Sequence, residues 1–175
     1  DDIKNGVDFV LEINKPDGLS FSAMCIDATF GKPDDKLERV RREIDNGQLA
    51  EVRYFHRQKN DGQPAFHGRL SQIPRVILSL DLPSLIDLSG LMENSISDNK
   101  EKAKIAKRDL ASHPVQILFL RQIKEQLEVY TDYAKHSPKE KAGSVVAPLE
   151  GLRQIMEKIL DDKLRTGKFI GARLN

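Results

Sequence analysis

The sequence predicts an α+β fold, with a small mixed sheet built by the first half and a mostly helical second half. Two observations carry this. Up to about position 81 the apolar residues fall into short segments with a period of two or as brief continuous runs, separated by Gly- and Pro-containing turns. From Pro83 onward the apolar spacing becomes that of helices. A length of 175 residues suits one domain with a helical appendage. The expected division is a sheet core over residues 1–96 and a helical C-terminal extension over residues 97–175, packed on or beside that core.

Val7, Phe9, Leu11 and Ile13 alternate with Asp8, Val10 and Glu12, which is a strand period. Asn14-Lys15-Pro16-Asp17-Gly18 is a dense turn signal, and Phe21 to Phe30 reads as a second strand, apolar on both faces around Met24-Cys25-Ile26. The two are expected to form an antiparallel hairpin with the second strand the more buried. Gly31-Lys32-Pro33 breaks that strand. Asp34 or Asp35 can cap a following helix whose Leu37, Val40 and Ile44 share one face, and Asn46-Gly47 ends it. Leu49 to Phe55 is a third strand; reached by a short helical crossover, it should run parallel to the second. A polar loop from His56 to Gly68 leads to a fourth strand at Arg75 to Leu80.

In the second half, Leu85, Leu88 and Met92 share a face of a first helix, and the charged stretch from Ser97 to Arg108 reads as an exposed helix or a mobile linker. His113-Pro114 opens a long helix with Leu120, Ile123, Leu127, Tyr130 and Ala134 at core spacing, and Ser137-Pro138 closes it. A last helix begins near Val145 and turns Leu149, Leu152, Met156, Ile159 and Leu160 inward. These stripes suit packing on the sheet or on each other, or a homodimer interface through the C-terminal helices.

The charge balance of +1, from 28 basic and 27 acidic residues, neither favours nor excludes nucleic acid, because a local patch can act without a global excess. The single cysteine, Cys25, has no internal disulfide partner, so a cytoplasmic compartment is the default. No apolar run approaches the roughly 18 residues of a membrane span. Asp1-Asp2-Ile3-Lys4 does not resemble a signal peptide, and so abrupt an acidic start beside a strand suggests a further N-terminal segment. His56, His67, His113 and His136 lack metal-ligand spacing, and Cys25 reads as a small buried side chain.

Two acids stand out from the apolar strands. Asp8 interrupts the start of the first, and Asp27 follows the most apolar run of the second, where a carboxylate loses hydration and needs a compensating partner. A hairpin can bring two such carboxylates together. One or two carboxylates, a backbone carbonyl such as that of Ala28, and water or phosphate oxygens are what Mg²⁺ (or Mn²⁺) takes. Such a cation would acidify a water and neutralise charge on a phosphodiester. Arg39, Arg42 and Arg53 are candidate phosphate contacts, since Arg suits bidentate oxyanion binding.

Gly-Val-Asp-Phe-Val-Leu-Glu-Ile (6 to 13), Cys-Ile-Asp-Ala-Thr (25 to 29), a basic amphipathic helix and Ala-Glu-Val-Arg-Tyr-Phe (50 to 55) together resemble the core of the PD-(D/E)XK nuclease superfamily. The resemblance covers roughly residues 6 to 81. It implies a restriction-endonuclease-like fold and metal-dependent hydrolysis of phosphodiester bonds in DNA. Asp8 matches the family's first acid and Asp27 its second. The family's lysine falls at Thr29, which carries no charge. The resemblance therefore implies a lysine supplied by the following helix, with Lys36 first and Lys32 second. A catalytically inactive nucleic-acid-binding or protein-interaction module on the same fold is the alternative.

Overall fold

A computed structural model describes residues 7–14, 21–29, 33–57 and 66–166. The turn expected after Asn14, the middle of the polar loop, and Lys32 lie outside the described residues. The architecture is mixed α+β. β1 (Phe9–Asn14) pairs antiparallel with β2 (Phe21–Thr29), in the register Phe9 opposite Ile26 and Ile13 opposite Ser22. The alternation in β1 has the opposite polarity to the expected one at its start. Phe9 and Leu11 are exposed, while Val7 and Val10 pack against a small cluster of Cys25, Ala50, Val52 and Ile73.

Pro33 precedes α1 (Asp34–Asp45), and neither Asp34 nor Asp35 makes a side-chain cap. Both lie in the first turn, where they complement the helix dipole instead. Val40 and Ile44 are buried and Leu37 is partly exposed. Gly47 closes the helix at φ +65°, and a Cβ there would stand 2.5 Å from the carbonyl oxygen of Lys141. Glycine alone suits both the dihedral and the contact.

The chain then departs from the expected topology. β3 (Ala50–Arg57) pairs antiparallel with β4 (Phe66–Ile73), a strand not foreseen, and the two form a separate two-stranded sheet. Gln72, at φ +58°, lies where the chain leaves this sheet, and its side chain accepts the Leu49 amide at 3.1 Å. The parallel partner of β2 is β5 (Arg75–Ser79), with Cys25 opposite Arg75 and Asp27 opposite Ile77. The expected parallel crossover therefore exists, but it spans α1 and the β3–β4 hairpin together. Periodicity cannot distinguish these two partners, since β3 and β5 are both short and apolar.

α2 (Leu82–Ser95) is capped by Asp81, whose carboxylate accepts the Ser84 amide at 2.7 Å. α3 (Lys100–Ala111) is an exposed helix in which only Ala106 is buried, so the charged stretch is ordered. α4 (Val115–His136), a short 3-10 helix (Glu140–Val145) and α5 (Val146–Thr166) follow. One apolar cluster joins Met24, Val76 and Ile44 to Leu127 of α4 and to Leu149 and Met156 of α5.

β5 is an edge strand, and α4 covers its open side. The Gln126 amide accepts from Ile77 N (2.8 Å) and donates to Ile77 O (2.7 Å), and Gln122 does the same at Ser79, both at 3.0 Å. Glutamines four apart on a helix thus match strand residues two apart, occupying groups that would otherwise invite another strand. No helix among the described residues is long and apolar enough to cross a membrane.

Candidate functional site

The expected site residues separate into two groups along the end of β2. The first group is at the surface. The Asp8 amide donates to Ile26 O at 3.1 Å, and its carboxylate Oδ2 accepts the Ala28 amide at 2.8 Å. Asp8 therefore ties the beginning of β1 to the end of β2. Lys36, in the first turn of α1, points its ammonium at the same place. Its Nζ donates to Ala28 O at 2.6 Å and stands 3.8 Å from Asp8 Oδ2. Both side chains are partly exposed, so the ion pair alone contributes little stability.

The second group is buried. Asp27 is 0% exposed, as the apolar run around it requires. Arg75 of β5, itself 3% exposed, donates Nη1 to Asp27 Oδ2 at 3.0 Å and Nη2 to Glu43 Oε1 at 3.1 Å. Burial works against the Arg75 charge, but Glu43 and then Asp27 outweigh it and hold the guanidinium pKa above its ordinary value. Asp27 Oδ1 is buried and has no hydrogen-bond partner among the described residues. Nearby, burial pushes the Cys25 thiol up to about 12, opposed by Arg75 and reinforced by Glu43 and Asp27, so Cys25 is no nucleophile.

Arg75 and Glu43 were not among the expected site residues. The signal for Arg75 is of the same kind as that for Asp27, a charge set in the apolar run Ile73 to Leu78. Two opposite charges buried in different strands of one small sheet are expected to meet.

Arg39 and Arg53 line a polar cleft of about 370 Å³ together with Glu43, Glu51 and Arg75. Arg53 Nε donates to Glu51 Oε1 at 2.9 Å, and Arg69 also pairs with Glu51. The Arg53 hydrogen bond, opposed by burial and aided by Arg69, holds the Glu51 carboxyl below its usual range. Arg42 does not line this cleft; its Nε reaches Glu38 O at 3.4 Å. His113 sits at the start of α4 and bonds Asp87 of α2 at 2.9 Å.

The oxygens that Asp8, Asp27 and the Ala28 carbonyl offer are the hard donors a magnesium-like cation takes, and Asp27 Oδ1 is an orphaned buried acceptor. Among the described residues, no three His, Cys, Asp or Glu side chains gather as a metal-binding group. Any cation would rely on water or substrate oxygens for its remaining ligands. No family model matches the chain, and no curated protein or solved structure is significantly similar to it.

Proposed function

We propose that the chain is a Mg²⁺- or Mn²⁺-dependent phosphodiesterase acting on DNA, built on a restriction-endonuclease-like core. The observation that carries this reading is the meeting of Lys36 with Ala28 O and Asp8 Oδ2 at 2.6 and 3.8 Å. A lysine from the helix after β2 thus stands at the atoms where the resemblance wants its missing cation. Asp8, Asp27 and the Ala28 carbonyl would hold the metal, which when bound acidifies water and offsets charge developing on the phosphodiester. Lys36 orients the attacking water through its ammonium. Arg39 and Arg53 hold the nucleic-acid backbone from the neighbouring cleft, with Arg42 on the same helix.

A second reading has its own observation. Arg75 already neutralises Asp27 inside the core, which suits a catalytically silent binding module in which the acid has become structural. The two readings differ in a plasmid and oligonucleotide cleavage assay with Mg²⁺ and Mn²⁺, run beside a Mn²⁺ thermal-shift titration. A phosphodiesterase cuts, and Lys36→Ala and Asp27→Asn both abolish cutting while circular dichroism stays native. A protein that neither cuts nor gains stability from Mn²⁺ is the silent module. Cutting that persists in Lys36→Ala removes that residue from the mechanism.

A further inference from the structure

α2 is a helix without an interior. None of its fourteen residues is buried, although it carries Leu82, Leu85, Ile86, Leu88, Leu91 and Met92. Leu85 and Leu88 border an apolar groove shared with Phe9 and Phe119. The opposite side faces water, with Leu82 66%, Ile86 63%, Met92 61% and Ile96 83% exposed. At about 100° per residue these four lie within an arc of roughly 120°, so they form one stripe. An apolar stripe of this kind marks an interaction surface.

The spacing of the stripe says what covers it. Leu82 and Ile96 each lie seven residues from Ser89, and Ile86 and Met92 each lie three from it. Ser89 is small and exposed, and beside it a Cβ added to Gly90 would meet nothing within 4 Å. We propose that α2 pairs antiparallel with α2 of a second copy of this chain, about a two-fold axis at Ser89. Leu82 then meets Ile96 of the partner subunit, and Ile86 meets Met92 of the partner subunit, so the stripe is its own complement as an isologous interface requires.

The small residues at the axis let the two backbones approach. Roughly 500 Å² of apolar surface leaves water on each copy, about 1,000 Å² in all, the lower bound for a specific interface. Glu93, exposed within the stripe, disfavours a bilayer as the occupant and is tolerated at a protein rim. The stripes of α4 and α5, the other candidates for self-association, are consumed internally, since Leu127, Leu149 and Met156 are buried.

Sedimentation velocity across micromolar to near-millimolar concentrations tests this. Wild type shows a reversible monomer–dimer equilibrium. The double variant Ile86→Glu, Ile96→Glu, altered only at exposed sites, keeps its circular dichroism and weakens association by about a hundredfold or more. Independently, Ser89→Cys forms a covalent dimer on mild oxidation and wild type does not, because Cys25 is buried. A wild type that stays monomeric throughout overturns the proposal. So does a dimer that survives the double variant, or a Ser89→Cys protein that dimerises without cross-linking.

Discussion

Replacing Arg75 with Met should be far more damaging than replacing either acid it binds. Arg75 is 3% exposed and its neighbour Asp27 0%, so removing the guanidinium strands a carboxylate that already has one oxygen without a partner. Breaking a buried pair by deleting one member costs about 3–5 kcal/mol, a large share of the roughly 5–15 kcal/mol that a domain possesses. Asp27→Asn differs, because an amide oxygen can still accept from Arg75 and Glu43 still balances the guanidinium charge. Its expected cost is about 1–2 kcal/mol, the difference between a charge-assisted and a neutral hydrogen bond. Urea unfolding followed by circular dichroism measures both, with the slope of free energy against denaturant checked for constancy. The double variant Asp27→Leu, Arg75→Met removes both charges and should recover about 2 kcal/mol or more relative to the sum of the single losses. A cost below about 1 kcal/mol for Arg75→Met, or strict additivity in the cycle, would refute the buried triad as the organiser of this part of the core.

Two further outcomes follow from the geometry. Gly47→Ala should destabilise by more than about 1 kcal/mol in the same urea assay, because φ +65° and the Lys141 carbonyl both oppose a Cβ; a neutral result would mean the loop relaxes freely. Cys25 should resist iodoacetamide in the native state at pH 8 and react once unfolded. Because the folded thiol is raised to about 12 from 9.0, its contribution to stability is complete below pH 9 and is lost as pH climbs toward 12, and rapid native-state alkylation at pH 8 would contradict it.

Much of the local structure was legible because its causes are local. Gly47 after Asn46 announced a left-handed helix end, the acid within Met24-Cys25-Ile26-Asp27 announced a buried charge needing a partner, and the apolar spacing of α4 and α5 announced their inward faces. The pairing of strands was less legible. β4 (Phe66–Ile73) has Gly68, Arg69, Ser71 and Gln72 in it, so its composition reads as loop, and only pairing with β3 makes it a strand. The exposure of Phe9 and Leu11 also reverses the polarity that alternation suggests, because alternation identifies two faces without saying which is covered. In the candidate site, Asp8 takes the local role of bonding backbone near its strand start, as an Asp after a glycine often does. What sequence could not give was the identity of Asp27's partner, 48 residues away in β5.

The two charge groups at the end of β2 differ in a way that bears on any cation they receive. Asp27 and Ala28 are consecutive, so the buried triad and the surface lysine are joined through one peptide unit. Together Asp8, Asp27 and Glu43 set three acids against Lys36 and Arg75, leaving one negative charge in excess at neutral pH. A divalent cation added to that set overshoots neutrality unless a resident cation withdraws or an anionic phosphate arrives. Arg75 cannot withdraw, since its side chain is 2% exposed and held on both sides. Lys36 can, since its side chain is 31% exposed on a helix at the surface. Lys36 should therefore be the mobile member, standing on Ala28 O in the free protein and moving when a cation binds. Removing its charge should raise the affinity for Mn²⁺ in the absence of DNA even as it abolishes cleavage. In a silent module Lys36→Ala would leave Mn²⁺ affinity unmeasurably weak, so Mn²⁺ titration of that one variant separates a displaced lysine from a site that never takes a metal.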